Sequence, residues 1–421
     1  MINFKQIIKN SQIKNGAWLY VLQIFNTAIP LITLPYITRV LGASEYGRFS
    51  IAFNLICYFQ VIVEFGFGMS GVRKISINQN KENLNKAFTT IFLAKMLLCM
   101  ACFLFMLLYI GISENGKTEL FCLLYLFIIP IGTVLQQTWV FQGLQKMKYI
   151  TITSVFARLL SLIFIFSFVK KPSDLYLYCI GYSLTDVFLG VIGIYFVLSR
   201  FGIRFCRITV NEIMEEFKAG WYVFTTTFSA RILAVFGVTV MGIMLSAYEV
   251  GVYSAIQKIP SVAQMAFAPV GQVLYPMASI WMTSSYVTGR KKVKKIQVVI
   301  LAIMTLGCFV IGANAKIIIA LVFGKEYSSM FYIIYPLLVW LLLGINNNFW
   351  GIQTLLAGGY SKEYSQCFQV SVICTIFFNI IFIKYWGIMG AALSPMLSEA
   401  VLSALLYMKI RKLDFINGLA K

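Results

Sequence analysis

The sequence predicts an all-α integral membrane protein with twelve transmembrane helices in two parallel six-helix lobes. Three features indicate this: the composition, the spacing of the apolar runs and an internal repeat. Of the 421 residues, 60% are hydrophobic and only 12% are charged, against about 45–50% and about 25% in soluble domains. Because a water-soluble fold could not bury so much apolar surface, soluble enzymes, disordered chains and disulfide-rich scaffolds are excluded.

Twelve apolar runs are long enough to cross a bilayer. A helix needs about 20 mainly apolar residues to span a hydrocarbon core of about 30 Å. The runs predict membrane spans at residues 16–38, 46–66, 87–110, 119–141, 149–169, 174–198, 220–245, 248–275, 296–319, 328–349, 364–384 and 387–408.

The segments outside the spans are short. Residues 1–15 predict a cytoplasmic interfacial segment, apolar on one side and cationic on the other; a frayed polar tail is the alternative. A linker helix is expected at 199–218, where Thr209-x-x-Glu212 has the pattern of a capping box. The resulting domains are the N-terminal lobe at 16–198, the linker, the C-terminal lobe at 219–408 and a cytoplasmic tail at 409–421.

The net charge of +20 is explained by membrane topology rather than by nucleic-acid binding. Lys and Arg lie in the short connections between apolar runs, and about three times as many are on the side of the termini as on the other side. Both termini are therefore expected in the cytoplasm.

An internal repeat relates the two halves. Residues 41–55 (LGASEYGRFSIAFNL) and 245–259 (LSAYEVGVYSAIQKI) each follow the first span of a half, and a weaker echo relates residues 139–142 to 350–353. The main repeat matches Leu41 with Leu245, Ala43 with Ala247, Glu45 with Glu249, Gly47 with Gly251 and Ser50 with Ser254. Because six spans are an even number, the halves have the same orientation, which is typical of two-lobed transporters with a substrate path between the lobes.

Several charged residues fall well inside the predicted spans, where a charge costs about 2.5–3.5 kcal/mol. They are four cations and two anions: Lys95, Arg158, Arg231, Lys258, Asp186 and Glu399. The cationic surplus favours an anionic passenger, and guanidinium groups suit phosphate oxygens in particular. The alternative is mutual neutralisation, of Arg158 by Asp186 and of Arg231 or Lys258 by Glu399.

Four charged residues have two interpretations each. Lys95 is shallower than the others and could extend to the cytoplasmic edge. Glu64 could cap a helix or pair with Arg73. Arg39 and Arg48, at the outer ends of the first two spans, could anchor the protein at the interface or line an outer vestibule.

The residues that commonly carry catalysis are missing. The sequence has no histidine, which removes the commonest proton carrier and metal ligand at neutral pH. The 9 cysteines lie mostly in apolar runs and are expected to pack as small hydrophobes. Without a P-loop, a nucleophile elbow or a dinucleotide motif, we expect no catalytic residue, no metal site, no cofactor and no enzymatic activity.

Several motifs distributed over nearly the whole chain resemble those of one transporter family. They are Asn26–Arg39 (NTAIPLITLPYITR), Leu41–Gly47 (LGASEYG), Glu64–Phe67 (EFGF), Trp139–Tyr149 (WVFQGLQKMKY), Ala219–Trp221 (AGW) and Glu249–Ser254 (EVGVYS). With these motifs the sequence resembles the Wzx-type flippases of O-antigen or capsule repeat units, in the MATE-like (MOP) transporter superfamily.

The resemblance implies a MATE-like fold in the bacterial cytoplasmic (inner) membrane and a role in lipopolysaccharide or other polysaccharide biosynthesis. The expected cargo is an undecaprenyl-diphosphate-linked oligosaccharide, moved to the outer leaflet by alternating access through a cationic inter-lobe cavity. Expected protein partners are a polysaccharide polymerase and a chain-length regulator. Under this hypothesis the substrate-binding residues are Arg158, Arg231, Lys258, Lys95, Arg39 and Arg48. The residues that couple transport to H⁺ or Na⁺ are Asp186, Glu399 and Glu64.

Three other functions remain open at the level of sequence. A MATE-type drug or cation antiporter and a lipid II flippase are the alternatives within transport. A membrane glycosyltransferase or polysaccharide polymerase is the alternative in another class, although the short outer loops count against it.

Overall fold

The computed structural model describes residues 11–112 and 117–418, and this part of the chain is helical without any strand. The all-α class predicted from the sequence is therefore confirmed. The described residues up to Val235 form one compact unit, and those from Phe236 onward form a second.

The first unit begins with a long helix that contains the first predicted span and all of the second except its last two residues. A short 3-10 turn at Pro172–Asp174 precedes its eighth helix, and its ninth continues past the unit boundary. The helices are α1 (Ser11–Glu64), α2 (Phe67–Ile77), α3 (Lys81–Ile112), α4 (Lys117–Leu126), α5 (Ile128–Leu135), α6 (Thr138–Gly143), α7 (Met147–Phe168), α8 (Leu175–Ser199) and α9 (Val210–Met244).

The second unit is also built from helices of very unequal length. A 3-10 segment at Lys325–Ile333 leads into α14, and a π-helical segment at Asn348–Leu356 follows it. The helices are α10 (Ala247–Ile256), α11 (Lys258–Ser284), α12 (Tyr286–Ala313), α13 (Ala315–Val322), α14 (Ile334–Asn347) and α15 (Ser361–Ile416).

Within residues 11–112 and 117–418, nine helical segments are long and apolar enough to cross a membrane. Two of them, Val21–Ile77 and Ser361–Ile416, each overlap two predicted spans. The nine segments overlap every predicted span except 248–275, which forms α10 and α11 with an interruption at Gln257. The chain is thus a multi-pass membrane protein, and the count of twelve spans stays a prediction.

Two glycines break the long helices. Gly42 has φ 73° and ψ 171° inside α1, and Gly387 has φ 54° and ψ −132° inside α15. A residue with a Cβ atom is strained at a positive φ, whereas glycine has no Cβ and adopts it readily. Gly42 lies between the predicted spans 16–38 and 46–66, and Gly387 is the first residue of the predicted span 387–408. Each break therefore falls where one predicted span gives way to the next within a long helical segment.

The outer surface of the helices is apolar, as expected for a protein with lipid as its solvent. On α3, for example, Leu104 is 61% exposed, Phe105 is 59% exposed and Leu108 is 64% exposed. Exposed apolar side chains in this number would be unfavourable in water. They support the membrane assignment independently of hydropathy.

The region after α8 differs in detail from the predicted linker. Residues 202–209 are not helical, and α9 then runs without a break from Val210 through the predicted span at 220–245. At its start the Thr209 backbone N–H donates to Glu212 Oε2 at 2.7 Å, one half of the expected capping box. Residues 1–10 of the predicted interfacial segment and 419–421 of the predicted tail lie outside the described residues; residues 11–15 belong to α1.

Candidate functional site

Two glycines let α5 and α8 approach closely in the first unit. A Cβ at Gly132 would lie 2.7 Å from Asp186 Cβ, and a Cβ at Gly190 would lie 2.5 Å from Leu135 Cβ. Because these positions lack side chains, the helix backbones come into direct contact. The helix ends at Leu135 and the next residue, Gln136, adopts an extended ψ of 122°, so its side chain is presented beside α8.

Asp186 is held by this arrangement. Gln136 Nε2 donates a hydrogen bond of 2.7 Å to Asp186 Oδ1. The carboxylate lies in a membrane helix whose neighbours are mainly apolar, and an amide donor lowers the cost of keeping a polar group there. Asp186 was predicted as a site residue, but Gln136 was not. Gln136 and Gln137 are two adjacent amides inside an apolar run, and this pattern could have identified them as candidates.

Arg158 lies near Asp186 at the middle of α7. The residue is half-buried, and its Nε is enclosed without a hydrogen-bond acceptor. The two residues are near enough for their opposite charges to interact. The described contacts of Arg158 and Asp186 nevertheless include no ion pair between them, and the hydrogen bond described for the carboxylate comes from Gln136. The guanidinium therefore retains capacity for another anionic partner.

Lys95 and Glu64 form a tight ion pair in the first unit. Lys95 Nζ lies 2.5 Å from Glu64 Oε2, and the Lys95 side chain is only 1% exposed while that of Glu64 is 41% exposed. A Cβ at Gly68 would lie 2.7 Å from Glu64 Oε1, so the glycine leaves room for the carboxylate. The Lys95 side chain is thus enclosed by protein rather than extended toward a cytoplasmic edge, and Glu64 pairs with Lys95 rather than with Arg73.

The two arginines at the far ends of the first spans differ in environment. Arg39 is exposed. Arg48 is half-buried, and its Nη1 lies 2.6 Å from Glu45 Oε1. This pair lines a cavity of about 510 Å³, together with Phe121, Cys122, Tyr125, Pro172, Ser173, Leu175 and Tyr176.

The second unit holds its own half-buried carboxylate, Glu399 on α15. Asn347 Nδ2 donates both to Glu399 Oε2 at 2.6 Å and to the Glu399 main-chain oxygen at 2.9 Å. Ser403 Oγ donates to Asn347 Oδ1 at 2.6 Å. Asn347 is 5% exposed and stands where α14 passes into the π-helical segment. This asparagine lies in the run Asn346–Asn348 of the predicted span 328–349, but it is not among the predicted site residues.

Arg231 and Lys258 complete the set of predicted cations. Arg231 is half-buried on α9 within the first unit, and Lys258 is exposed at the start of α11 in the second. The structure thus groups Arg158 with Asp186 and Lys95 with Glu64, and it places Glu399 with an amide instead of a cation. No three His, Cys, Asp or Glu side chains gather as metal ligands in the described part of the chain.

These environments define what the site can do. A half-buried guanidinium with an enclosed and unpartnered N–H can donate a hydrogen bond to a phosphate oxygen. A carboxylate that is held by an amide in an apolar helix can exchange a proton or a small cation without losing an ion pair. The described residues therefore contain elements suited to anion binding and to ion exchange within single units.

The sequence is similar over almost its full length to known proteins. The profile of the family described as "Polysaccharide biosynthesis protein" matches residues 13–282. A protein of Escherichia coli (strain K12) named "Putative O-antigen transporter" is 24% identical over 404 residues, which cover 94% of this chain and 96% of that protein. That relative is named as a transporter and not as an enzyme, in agreement with the expectation from the sequence.

The fold is similar to that of solved transporters. The inward closed structure of the lipid II flippase MurJ superposes with a TM-score of 0.77 at 13% identity, covering 93% of this chain and 87% of that chain. An inward-facing multidrug resistance MATE family transporter of the MOP superfamily gives a TM-score of 0.69 at 13% identity, covering 94% and 97%. At this identity the similarity concerns the fold alone, which is MATE-like as predicted and also MurJ-like.

The profile match covers well over half of the chain, and it confirms the resemblance inferred from the sequence motifs. The chain therefore belongs to the polysaccharide biosynthesis protein family.

Proposed function

We propose that the protein is a flippase that moves an undecaprenyl-diphosphate-linked oligosaccharide repeat unit from the cytoplasmic to the outer leaflet. Family membership and the name of the E. coli relative support a role in polysaccharide export. The observation that carries the proposal is Arg158, a cation at the middle of a membrane helix with a buried Nε that lacks an acceptor. Such a residue is costly unless it serves an anionic partner.

The chemistry of the passenger fits this residue. A charged diphosphate cannot cross about 30 Å of hydrocarbon unaided, whereas the lipid tail of the passenger is soluble in the bilayer. In the proposed mechanism Arg158 binds the diphosphate or an acidic sugar and releases it when the protein changes conformation. Arg231 and Lys258 bind the same passenger. Arg39 and Arg48 bind it at the outer ends of the spans.

The transport cycle follows the scheme expected from the repeat. We propose twelve spans in two six-helix lobes, both termini in the cytoplasm, and alternating access to a cationic path. Lys95 is assigned a supporting part, because its ammonium is already neutralised by Glu64. We further propose that the protein delivers its passenger to a polysaccharide polymerase and a chain-length regulator.

Ion coupling is assigned to the two amide-held carboxylates. Asp186 and Glu399 accept hydrogen bonds from Gln136 and Asn347, so each can bind H⁺ or Na⁺ without breaking a salt bridge. Glu64 differs from both, because loss of its charge would leave Lys95 buried and unpaired. We therefore place coupling at Asp186 or Glu399 ahead of Glu64.

The test is to locate the lipid-linked sugar in cells. Deletion of the gene should trap it on the cytoplasmic leaflet and abolish surface polysaccharide, and the wild-type gene should restore both. Arg158→Ala and Arg231→Ala should each lower surface polysaccharide about tenfold or more, because a charge-assisted hydrogen bond is worth about 1.5–3 kcal/mol.

The matched control is Lys384→Ala, which removes an exposed cation from α15. It should leave export and protein abundance unchanged. Normal export by both arginine variants would refute the cationic path, and altered accumulation of cationic dyes after gene deletion would favour the drug antiporter instead.

A further inference from the structure

In the second unit, the start of α12 packs against the end of α15, and basic side chains gather there. The Tyr286 hydroxyl donates to Asp414 Oδ1 at 2.8 Å, and Arg290 Nε lies 3.6 Å from Asp414 Oδ2. Asp414 is the one carboxylate in residues 286–299 and 407–418. The same two stretches carry eight basic residues: Arg290, Lys291, Lys292, Lys294, Lys295, Lys409, Arg411 and Lys412.

Arg290 is the buried member of this cluster and is incompletely neutralised. Its side chain is only 10% exposed, and both Nε and Nη1 are enclosed without a hydrogen-bond acceptor. The nearest carboxylate stands beyond hydrogen-bonding distance and already accepts a bond from Tyr286. Buried polar groups are normally paired, and an anionic oxygen is the partner that a guanidinium prefers.

The surroundings of Arg290 are typical of the level of lipid headgroups. The four lysines of α12 are exposed, and Lys292 Nζ lies 5.1 Å from the centre of the Trp281 ring. Tryptophan and tyrosine concentrate where a membrane helix meets water. The cluster immediately precedes the apolar part of Tyr286–Ala313, one of the membrane-spanning candidates.

We propose that this cluster binds the headgroup of an anionic phospholipid of the surrounding bilayer. The lipid phosphate is held by Arg290, the exposed lysines flank it, and the acyl chains lie along the apolar surface of α12. Basic residues next to a membrane helix attract anionic lipid in this way. The site is distinct from Arg158 and Arg231, and it does not depend on which passenger the protein carries.

The experiment measures retention of lipid by the purified full-length protein in detergent. Native mass spectrometry during titration with phosphatidylglycerol or phosphatidylcholine gives the affinity for each lipid. We expect phosphatidylglycerol to be retained preferentially. Arg290→Gln should weaken its binding about fivefold, because each basic residue near an anionic surface contributes about 1 kcal/mol.

Two further variants separate binding from folding. Lys291→Gln/Lys294→Gln changes only exposed side chains and should weaken phosphatidylglycerol binding more than about tenfold. Lys384→Gln, which removes an exposed cation elsewhere on α15, should have no effect. Should Arg290→Gln fail to fold, the lysine double variant decides the matter.

Three results would overturn the proposal. They are equal retention of the two lipids, unchanged phosphatidylglycerol affinity in the lysine double variant, and displacement of the lipid by soluble glycerol phosphate at comparable concentration. The last result would show a free phosphate site rather than a lipid site. None of these outcomes bears on the export test of Arg158, so the two proposals can fail separately.

Discussion

The two copies of the internal repeat, residues 41–55 and 245–259, make the same chain turn by different means. At the first copy Gly42 interrupts α1 with a positive φ of 73°. At the aligned position of the second copy, Ser246 has a φ of −70° and caps α10, with its Oγ accepting from the Glu249 backbone N–H. The repeat therefore preserves the position of the break and leaves its chemistry free to vary.

The matched glutamates confirm this difference. Glu45 pairs with Arg48 one turn along the same helix. Glu249 instead accepts hydrogen bonds from the Ser246 backbone N–H at 3.0 Å and from its hydroxyl at 2.7 Å, completing a capping box. Identical residues at aligned positions thus stabilise the turn differently, because the first copy has no side chain at position 42 to cap the helix.

The copies differ most at their last polar position. Asn54 is 6% exposed, and its Nδ2 donates to the Val235 main-chain oxygen at 2.8 Å. Lys258, the aligned residue, is exposed. A neutral amide can be buried when it is hydrogen-bonded, whereas a lysine is kept where water or an anion can reach it.

Exchange at this last position should produce the largest effect. Asn54→Lys buries an ammonium and should lower the free energy of unfolding by about 2.5–3.5 kcal/mol. Lys258→Asn changes an exposed side chain and should stay within about 0.5 kcal/mol of wild type. Thermal unfolding in detergent, followed by tryptophan fluorescence, measures both.

Asn54→Leu serves as the control for Asn54→Lys, since it removes the hydrogen bond without adding charge and should cost about 1 kcal/mol. Equal destabilisation by Asn54→Lys and Lys258→Asn would show that the two environments are alike. Reduced export by Lys258→Asn at normal stability would in addition support its proposed contact with the passenger.

Exchange at the helix break should produce an intermediate effect. Gly42→Ser places a side chain at a positive φ and should cost about 1–3 kcal/mol. The reverse change, Ser246→Gly, should cost only a few tenths of a kcal/mol, because glycine is tolerated as an N-cap.

The control for this pair is Ser246→Ala, which removes the capping hydroxyl without adding the backbone flexibility of glycine. It should lower the free energy of unfolding by about 1 kcal/mol. The same unfolding measurement applies. A Gly42→Ser protein as stable as wild type would mean that the first copy can adopt the backbone of the second.

Removal of the matched glutamates should produce the smallest effect. Glu249→Ala should cost about 0.3–1 kcal/mol, because a carboxylate in the first turn satisfies helix N–H groups and complements the dipole. Glu45→Ala breaks a partly exposed ion pair and should cost at most about 0.5 kcal/mol. A double-mutant cycle of Glu45 and Arg48 isolates that pair, and a coupling energy well above this value would contradict the comparison.

Much of the candidate site could be found from the sequence, because charges stand out against apolar runs. Arg158, Asp186, Lys95 and Glu399 were each identifiable in this way. Their partners were harder to foresee. Asp186 was matched with Arg158 as one alternative, yet it bonds to Gln136, because Gly132 and Gly190 allow α5 and α8 to approach closely.

The membrane class, the repeat, the charged residues and the family resemblance could all be read from the amino-acid sequence. The membrane class is evident because a lipid environment requires long apolar runs, and charged residues are conspicuous within them. The tertiary structure decided which residue each charge meets and whether it is buried. Lys95 pairs with Glu64 across 31 positions, and Glu399 meets Asn347 across 52. Such contacts depend on how separate helices pack, and no local pattern along the chain records that packing.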